Sequence, residues 1–595
     1  MKEKVGTEAI PLENSLPELP IPSLEQTCRK YPEWVQPLLN EEEWEQTRRI
    51  TEEFGKKEGP ILQKALQEWG ADRENWLEEF WYRTYLDSRS PVPVNSNPFF
   101  WQENQPRTVI RSQTEQTARI IQAASSFKIL INSGELSADM DRNQPLCMNQ
   151  YQRMFSTTRI PGHGTDTLRS PADSTAPSTA GHVVVLCRGV LFRCDALTDT
   201  GALRSLADLQ ADIEEIRRRA EGGNSPAQGI GVLTSLPREE WAEAREALIL
   251  NPANLRALDV IETALFTLSL DDAQPADRDE LAMQLLSGSG ENRWFDKALQ
   301  FIVLPDGGYG VNMEHTGLDA TPVLRLGKTI EEWSDDEGNA VSASPGNIAE
   351  IPFMLTEEIG QNIQKAKADY ESLVRDTHIR TVPFCSFGSE KIKSLEISPD
   401  AFVQLAMLLA SYRTFGTFKN LYEAVMTRGF RHGRTEAMRP LSCEAARFVL
   451  SMVSGSGEAA ALRKAAELHT QRLKECRAGE GIARHLYGLN KMFQLKGPQL
   501  GIHSPPPLFT DSGWQRIQND TLSASTVGAA RGFTLGGFGP VSPDGFGIRY
   551  ASGSTGISFT LSCRAAMREA LGRFTAELFK ALNEMEALLR STLSV

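Results

Sequence analysis

His315 follows an alternating run, Tyr309, Val311 and Met313, and Asp319 comes four residues after it. The alternation predicts a strand that delivers the imidazole at its end. Gly307, Gly308, Gly310 and Gly317 surround the histidine, which suits a backbone that turns sharply or passes close to a ligand. Imidazole is the side chain best placed to take a proton from a hydroxyl or thiol near neutral pH. Of the eight histidines, His315 alone has Asp at this spacing. A single base of this kind also needs a donor for the developing oxyanion and polar groups that position each reactant. The clusters Ser523-Ala524-Ser525-Thr526 and Arg434-Thr435-Glu436 carry suitable side chains, and both read equally well as solvated loops.

Other chemistries find no support. There is no Gly-x-Ser-x-Gly elbow, no Walker loop and no dinucleotide fingerprint opening a helix after a strand. The histidines show no metal-ligand spacing, so no metal is expected. Eight cysteines (28, 147, 187, 194, 385, 443, 476, 563) are scattered without Cys-x-x-Cys spacing, which reads as reduced thiols. A net charge of -14 argues against a nucleic-acid surface. No apolar run reaches the length of about 18 residues that a membrane span needs. The N-terminus has neither the apolar core of a signal peptide nor the acid-poor character of a presequence, so the expected compartment is the cytoplasm.

At 595 residues the chain has room for about two to four domains. Residues 1–24, rich in Pro and Glu, read as a linker or extended arm. Asn40 with Glu43 forms a capping-box start, and a helical stretch covers about 60–88, with Trp69, Trp76, Phe80 and Tyr82 read as core. Another helix covers 113–132. His182–Cys187 and Val190–Cys194 predict two strands around an Arg188-Gly189 turn. Helices near 203–220 and 237–248 flank a short strand from Ile230 to Thr234, and Gln300–Leu304 reads as a buried strand. Helices follow at 357–377, after Ser398-Pro399-Asp400, and at 440–453, 457–476 and 480–494. Strands near 546–550 and 558–562 precede a terminal helix, 563–591. Many helices interleaved with strands indicate an α/β or α+β protein in two halves.

At this point the chain resembles the carnitine/choline acyltransferases, from about Leu19 to the terminal helix. The resemblance rests on Leu19–Thr27, Pro145–Phe155, Arg159-Ile-Pro-Gly162, His182–Cys187, Glu291–Lys297, Glu314-His315, Ser398-Pro-Asp-Ala401, Gly433–Glu436 and Gly537–Gly545. His-x-x-x-Asp is also shared by several acyltransferase families. The resemblance implies two similar chloramphenicol-acetyltransferase-like α/β domains with a substrate tunnel at their interface. It places the boundaries at 25–385 for the catalytic-histidine half and 386–595 for the C-terminal acyltransferase domain, with the helices of 40–88 expected on the other domain. It implies direct acyl transfer by His315, with Ser525 supporting the oxyanion. Asp319 matches an acidic position paired with an arginine, and Arg484 matches that arginine, which also holds an acceptor carboxylate. Tyr422 and Thr435 match acceptor-binding positions. Lys393, Asp400 and Ser523 fall on the side of the donor's pantetheine and phosphates. No permanently bound cofactor is implied; the co-substrate is a phosphopantetheine thioester.

Departures from the family pattern refine that expectation. Coenzyme-A-using members carry Phe-Gly-Lys-x-x-Ile-Lys before Ser-Pro-Asp, whereas this chain has Phe387-Gly-Ser389-Glu390-Lys391-Ile-Lys393, with Glu396 nearby. Losing a lysine and gaining carboxylates weakens a phosphate site by about 1 kcal/mol or more per contact. The glutamine after the serine motif is replaced by Thr526, and the family's Arg-Ser by Arg439-Pro440. The expectation is therefore an O-acyltransferase that takes an acyl, polyketide-like chain from an acyl carrier protein domain to a polyol or similar alcohol. A coenzyme-A-dependent carnitine O-acyltransferase is the alternative.

Overall fold

A computed structural model describes residues 15–102, 111–173, 180–222, 228–334, 341, 348–526 and 533–593. Four helices open it: α1 (Leu24–Val35), α2 (Glu41–Lys56), α3 (Glu58–Gly70) and α4 (Glu78–Leu86). Asn40 and Glu43 close the capping box on α2, each side chain meeting the other's backbone N–H. The expected continuous helix over 60–88 is broken between Gly70 and Glu78. The arm expected over residues 1–24 is docked where it is described: Leu16 and Leu19 are buried, and the Arg431 N–H donates to Pro17 O. Residues 1–14 lie outside the described residues.

The strands are β1 (Phe99–Gln102), two short ribbons, β2 (Met140–Asp141) with β3 (Gln144–Pro145) and β4 (Thr158–Ile160) with β5 (Thr167–Arg169), and then β6 (His182–Cys187), β7 (Val190–Asp195), β8 (Thr267–Leu270), β9 (Leu299–Val303), β10 (Tyr309–Met313) and β11 (Ile348–Glu350). They continue with β12 (Thr377–Phe384), β13 (Leu421–Met426), β14 (Thr435–Met438), β15 (Leu522–Thr526), β16 (Phe533–Gly537), β17 (Phe546–Ser552) and β18 (Ile557–Arg564). Two sheets result, ordered β11-β7-β6-β8-β9-β10-β1-β16 and β12-β18-β17-β15-β13-β14. The β6–β7 hairpin turns on Arg188 and Gly189, both at positive φ, as a two-residue turn matched to strand twist requires.

Each sheet buries an apolar face. The first closes over α5 (Gln113–Ser133) and α6 (Ala320–Glu332), with Ile121, Phe127, Phe301, Val311 and Leu326 fully enclosed. The second packs on α7 (Pro399–Phe415) and the terminal α10 (Arg568–Leu593), joining Phe402, Leu405, Ala524, Ile548, Leu561 and Phe574 in one cluster. Ser398 caps α7 by accepting from the Ala401 N–H, with Pro399 at the first turn. Two intervening helices, α8 (Ala459–Arg477) and α9 (Ala483–Lys496), join α1–α4 in a third cluster through Phe54, Leu66, Trp76, Ile482, Leu486 and Leu489.

Spatial boundaries do not follow a cut at residue 385. Strand β12 precedes that point yet forms an edge of the second sheet, while β16 leaves the second half to pair with β1 in the first. Helices α1–α4 come first in the chain but pack with residues of the second half. The expected strand at Ile230–Thr234 is a 3-10 helix, Ile230–Ser235. Its β-branched residues favour a strand locally, but Gly229 enters in the left-handed region and the Thr234 and Ser235 hydroxyls donate to carbonyls three residues back.

Candidate active site

Strand β10 ends at Met313, and the chain turns through Glu314-His315-Thr-Gly-Leu-Asp319 into α6. Asp319 stands at the N-cap of α6 without capping it. Its carboxylate instead meets Arg434, which donates from Nε to Oδ2 at 2.9 Å and from Nη2 to Oδ1 at 3.1 Å. The same guanidinium donates to Thr316 O at 2.7 Å, His315 O at 3.1 Å and Leu318 O at 3.4 Å. Five hydrogen bonds from one planar fork thus tie down the turn from His315 to Asp319. Gln150 completes the hold: its Nε2 donates to Asp319 Oδ2, and its Oε1 accepts from the Asp319 N–H. Burial alone would raise the Asp319 carboxyl, but Arg434 and His315 hold it below the usual aspartate range.

This turn sets the tautomer of His315. Its Nδ1 lies 2.6 Å from Leu318 O. A carbonyl oxygen only accepts, so Nδ1 carries the hydrogen and Nε2 presents its lone pair. The Asp319 carboxylate is 3.9 Å from Nδ1, too far to be the orienting partner. The ring is 28% exposed and so open to a reactant. On one side it faces Tyr85, with ring centroids 5.1 Å apart.

A buried ionic network backs both rings. Arg159 donates to Tyr85 O at 2.7 Å and to Asp166 Oδ2 at 2.6 Å, and lies 3.5 Å from Glu314 Oε1. Arg238 bridges Asp166 and Asp296. Glu314, next to the histidine, is turned away from the ring to accept from the Thr316 hydroxyl and N–H.

The second sheet carries a polar row on one face. Side chains on paired strands point the same way at register partners and alternate along each strand. Leu421, Leu522, Ala524, Ile548 and Tyr550 belong to the apolar cluster on one face. Tyr422 and Ser523, which are register partners, and Ser525 therefore share the opposite face. The Arg484 guanidinium lies 3.9 Å over the Trp81 ring and donates to Tyr422 Oη at 3.4 Å and Thr435 O at 3.3 Å. Tyr85 joins the two regions: burial raises its phenol, and the charges of Arg434, Asp319 and Arg484 all act on it.

The expected Asp319–Arg484 pair is corrected by this geometry. Arg434 is the partner of Asp319, and Arg484 belongs to the cluster with Tyr422 and Thr435. Asp400, at the start of α7, joins a polar group of its own. Its carboxylate accepts from His469 Nε2 at 3.0 Å and from the Tyr550 hydroxyl at 2.5 Å, beneath the apolar face. Glu423 completes that group, with ligand-type atoms of the three residues within 4.8 Å of one another, a gathering the histidine spacing did not foretell. Burial, then the Asp400 charge, push the Glu423 carboxyl well above its usual range. Lys393 lies in the short helix Ser389–Ser394, where the neighbouring Lys391 pairs with Glu586 at 3.3 Å. Sequence reasoning gave no role to Tyr85, Gln150 or Arg159, although the last two fall within the motifs Pro145–Phe155 and Arg159–Gly162. Trp81 and Tyr85 sit in the aromatic helix read as core.

The imidazole with its fixed lone pair lies on the turn after the first sheet's β10, and the Arg484 cluster on the second sheet; the class of protein is an acyltransferase. The chain belongs to the Choline/Carnitine o-acyltransferase family, whose model matches residues 19–580. It is 33% identical to the carnitine O-acetyltransferase of Homo sapiens over 97% of this chain and 94% of that one. Against the peroxisomal carnitine O-octanoyltransferase of Bos taurus it is 33% identical over 93% of this chain and 92% of that one. The muscle isoform of carnitine O-palmitoyltransferase 1 of Homo sapiens is 34% identical over 97% of this chain and 77% of its own length. Among the described residues no helix is long and apolar enough to cross a membrane.

Proposed function

We propose that the protein transfers an acyl group directly from a phosphopantetheine thioester to the hydroxyl of a small, carboxylate-bearing alcohol of the carnitine type. His315 Nε2 takes the hydroxyl proton as the alkoxide oxygen attacks the thioester carbonyl carbon. The tetrahedral oxyanion accepts a hydrogen bond from Ser525, while Ser523 flanks it on the same face. As the C–S bond breaks, the imidazolium returns its proton to the departing thiolate. Ester and free thiol leave, and no bond to the protein is formed. Asp319, held by Arg434, favours the transient imidazolium. Arg484, Tyr422 and Thr435 hold the acceptor, with the guanidinium directed to its carboxylate.

The observation that carries this reading is the Nδ1–H to Leu318 O hydrogen bond, which leaves the Nε2 lone pair at an accessible ring. The names of the relatives support the acceptor class. Full-length protein given an acyl thioester and L-carnitine should release thiol and form the ester, and His315→Ala should lose at least about 100-fold in kcat. Acylation of plain alcohols but not of carnitine at high concentration would remove the acceptor assignment.

A second reading concerns the donor. Ser389 and Glu390 stand where lysine and a neutral residue would favour nucleotide phosphates, and Lys391 is held by Glu586. This favours a donor without the distal nucleotide, such as an acyl carrier protein, and with it release of a polyketide-like chain onto a polyol. Rates with acyl-coenzyme A, acyl-pantetheine and an acyl carrier protein separate the two donors. A strong preference for the full coenzyme that Lys393→Ala abolishes would exclude the carrier protein.

A further inference from the structure

Helix α9, which carries Arg484, is gripped by helices α1, α3 and α4. The residue after Arg484, His485, stands about 100° round the helix axis from it and is fully enclosed. Its Nδ1 lies 2.7 Å from Thr27 Oγ1 of α1, and its Nε2 lies 2.7 Å from Gln63 Oε1 of α3. The Gln63 amide nitrogen donates to Pro22 O at 3.0 Å, which leaves its oxygen to accept from His485 Nε2–H. Nδ1 then accepts from the Thr27 hydroxyl. Both ring nitrogens are filled with the imidazole neutral, and burial pushes the ring down to about 3, so it stays neutral.

Two further contacts fix the same helix. A Cβ on Gly488, one turn beyond Arg484, would meet the Trp76 ring at 2.7 Å and Leu66 of α3 at 3.2 Å, so glycine is what lets α9 lie this close. On the other side the Arg484 backbone N–H donates to the Glu436 carboxyl at 3.0 Å. The guanidinium itself makes long hydrogen bonds, of 3.3 and 3.4 Å. Its place therefore follows that of the helix carrying it and of the Trp81 ring of α4 beneath it.

We infer that His485 is a positioning residue for the acceptor: its hydrogen bonds to Thr27 and Gln63 register α9 against α1 and α3, and so hold Arg484 where it meets the acceptor's carboxylate. The inference rests on the reading of Arg484 as the group that binds that carboxylate. A clasp on the neighbouring residue moves the backbone of Arg484 without touching its guanidinium, which keeps its capacity for the ligand. A neutral ring suits the task, because it adds no second buried cation beside Arg484. Helices near the start of the chain thus complete an acceptor site whose own side chains come mostly from the second half.

The test is steady-state kinetics of the full-length protein with L-carnitine, with urea unfolding of the same variants. His485→Phe keeps a flat ring and removes both hydrogen bonds. It is expected to raise KM for carnitine about tenfold while kcat stays within about twofold. Added to Arg484→Ala, the same change should raise KM no further, because its effect passes through the guanidinium. Thr27→Val and Gln63→Met each remove one bond and should raise KM by smaller factors; they carry the test if the phenylalanine variant does not fold. A loss of stability with KM unchanged, or an equal rise in KM with and without Arg484, would overturn the inference and leave the role of Arg484 standing. If the unaltered protein does not acylate carnitine, the acceptor assignment fails, and the inference with it.

Discussion

Two arginines from the second half of the chain do opposite work within one neighbourhood. Arg434 is saturated: Asp319, Thr316 O, His315 O and Leu318 O take up its fork. Among the described residues the Arg484 guanidinium makes only long hydrogen bonds, to Thr435 O and Tyr422 Oη, with Trp81 beneath it, while the Glu436 carboxyl accepts from the Arg484 backbone N–H at 3.0 Å. A charge fully engaged by the protein builds a turn. One resting on an aromatic face, with uncharged partners at the limit of hydrogen bonding, keeps its capacity for a ligand. Under the proposed function, the contrast fits Arg434 to positioning the base and Arg484 to holding the acceptor.

Breaking the saturated member should cost most. Arg434→Ala leaves Asp319 buried without its partner, so unfolding free energy should fall by about 3–5 kcal/mol in urea titrations, with at least a 100-fold loss of kcat. A stable variant that lost only acceptor affinity would reverse the two roles. Next comes the serine strand. Ser525→Ala should lower kcat by about 100- to 1000-fold in steady-state kinetics, with little change in KM or stability.

Arg484→Ala should be milder and different in kind. It should raise KM for carnitine by about 10- to 100-fold while leaving an acceptor without a carboxylate nearly unaffected, and its stability should change by about 1 kcal/mol or less. The smallest effect separates the pair by pH. The folded Asp319 carboxyl lies below its ordinary value of 3.8. Its contribution to stability is therefore complete above that value and is lost as pH falls through the folded one. Asp319→Asn should flatten the stability profile below about pH 4, and Arg484→Ala should leave that slope unchanged.

The same contrast marks how far the sequence could be read. The alternating run before His315, the capping box at Asn40, the Ser398 cap and the Arg188-Gly189 turn were legible because neighbours along the chain decide them. Which of two arginines reaches Asp319 was not, since the candidates arrive from 115 and 165 residues away and local spacing carries no sign of either path. Trp81 and Tyr85 went unnamed beside Trp69, Trp76, Phe80 and Tyr82, read as core, because an aromatic stripe on a helix looks alike whether it packs on Leu or on an imidazole. The crossing of β16 into the first sheet lacked a local signal for the same reason: Phe533–Gly537 pairs with β1, more than 400 residues earlier. Gly537, within a quoted motif, was the one hint, and its meaning appears only with Thr560 against it.

Every role proposed above depends on where the proton sits on one imidazole. Nitrogen-15 NMR of the full-length protein, labelled at histidine and assigned with His315→Gln, reads that directly. In the resting enzyme at pH 8 the His315 Nδ1 should carry the hydrogen and Nε2 should be bare. A resting ring protonated at Nε2 would contradict the account, because the nitrogen meant to accept the alcohol's proton would already be filled.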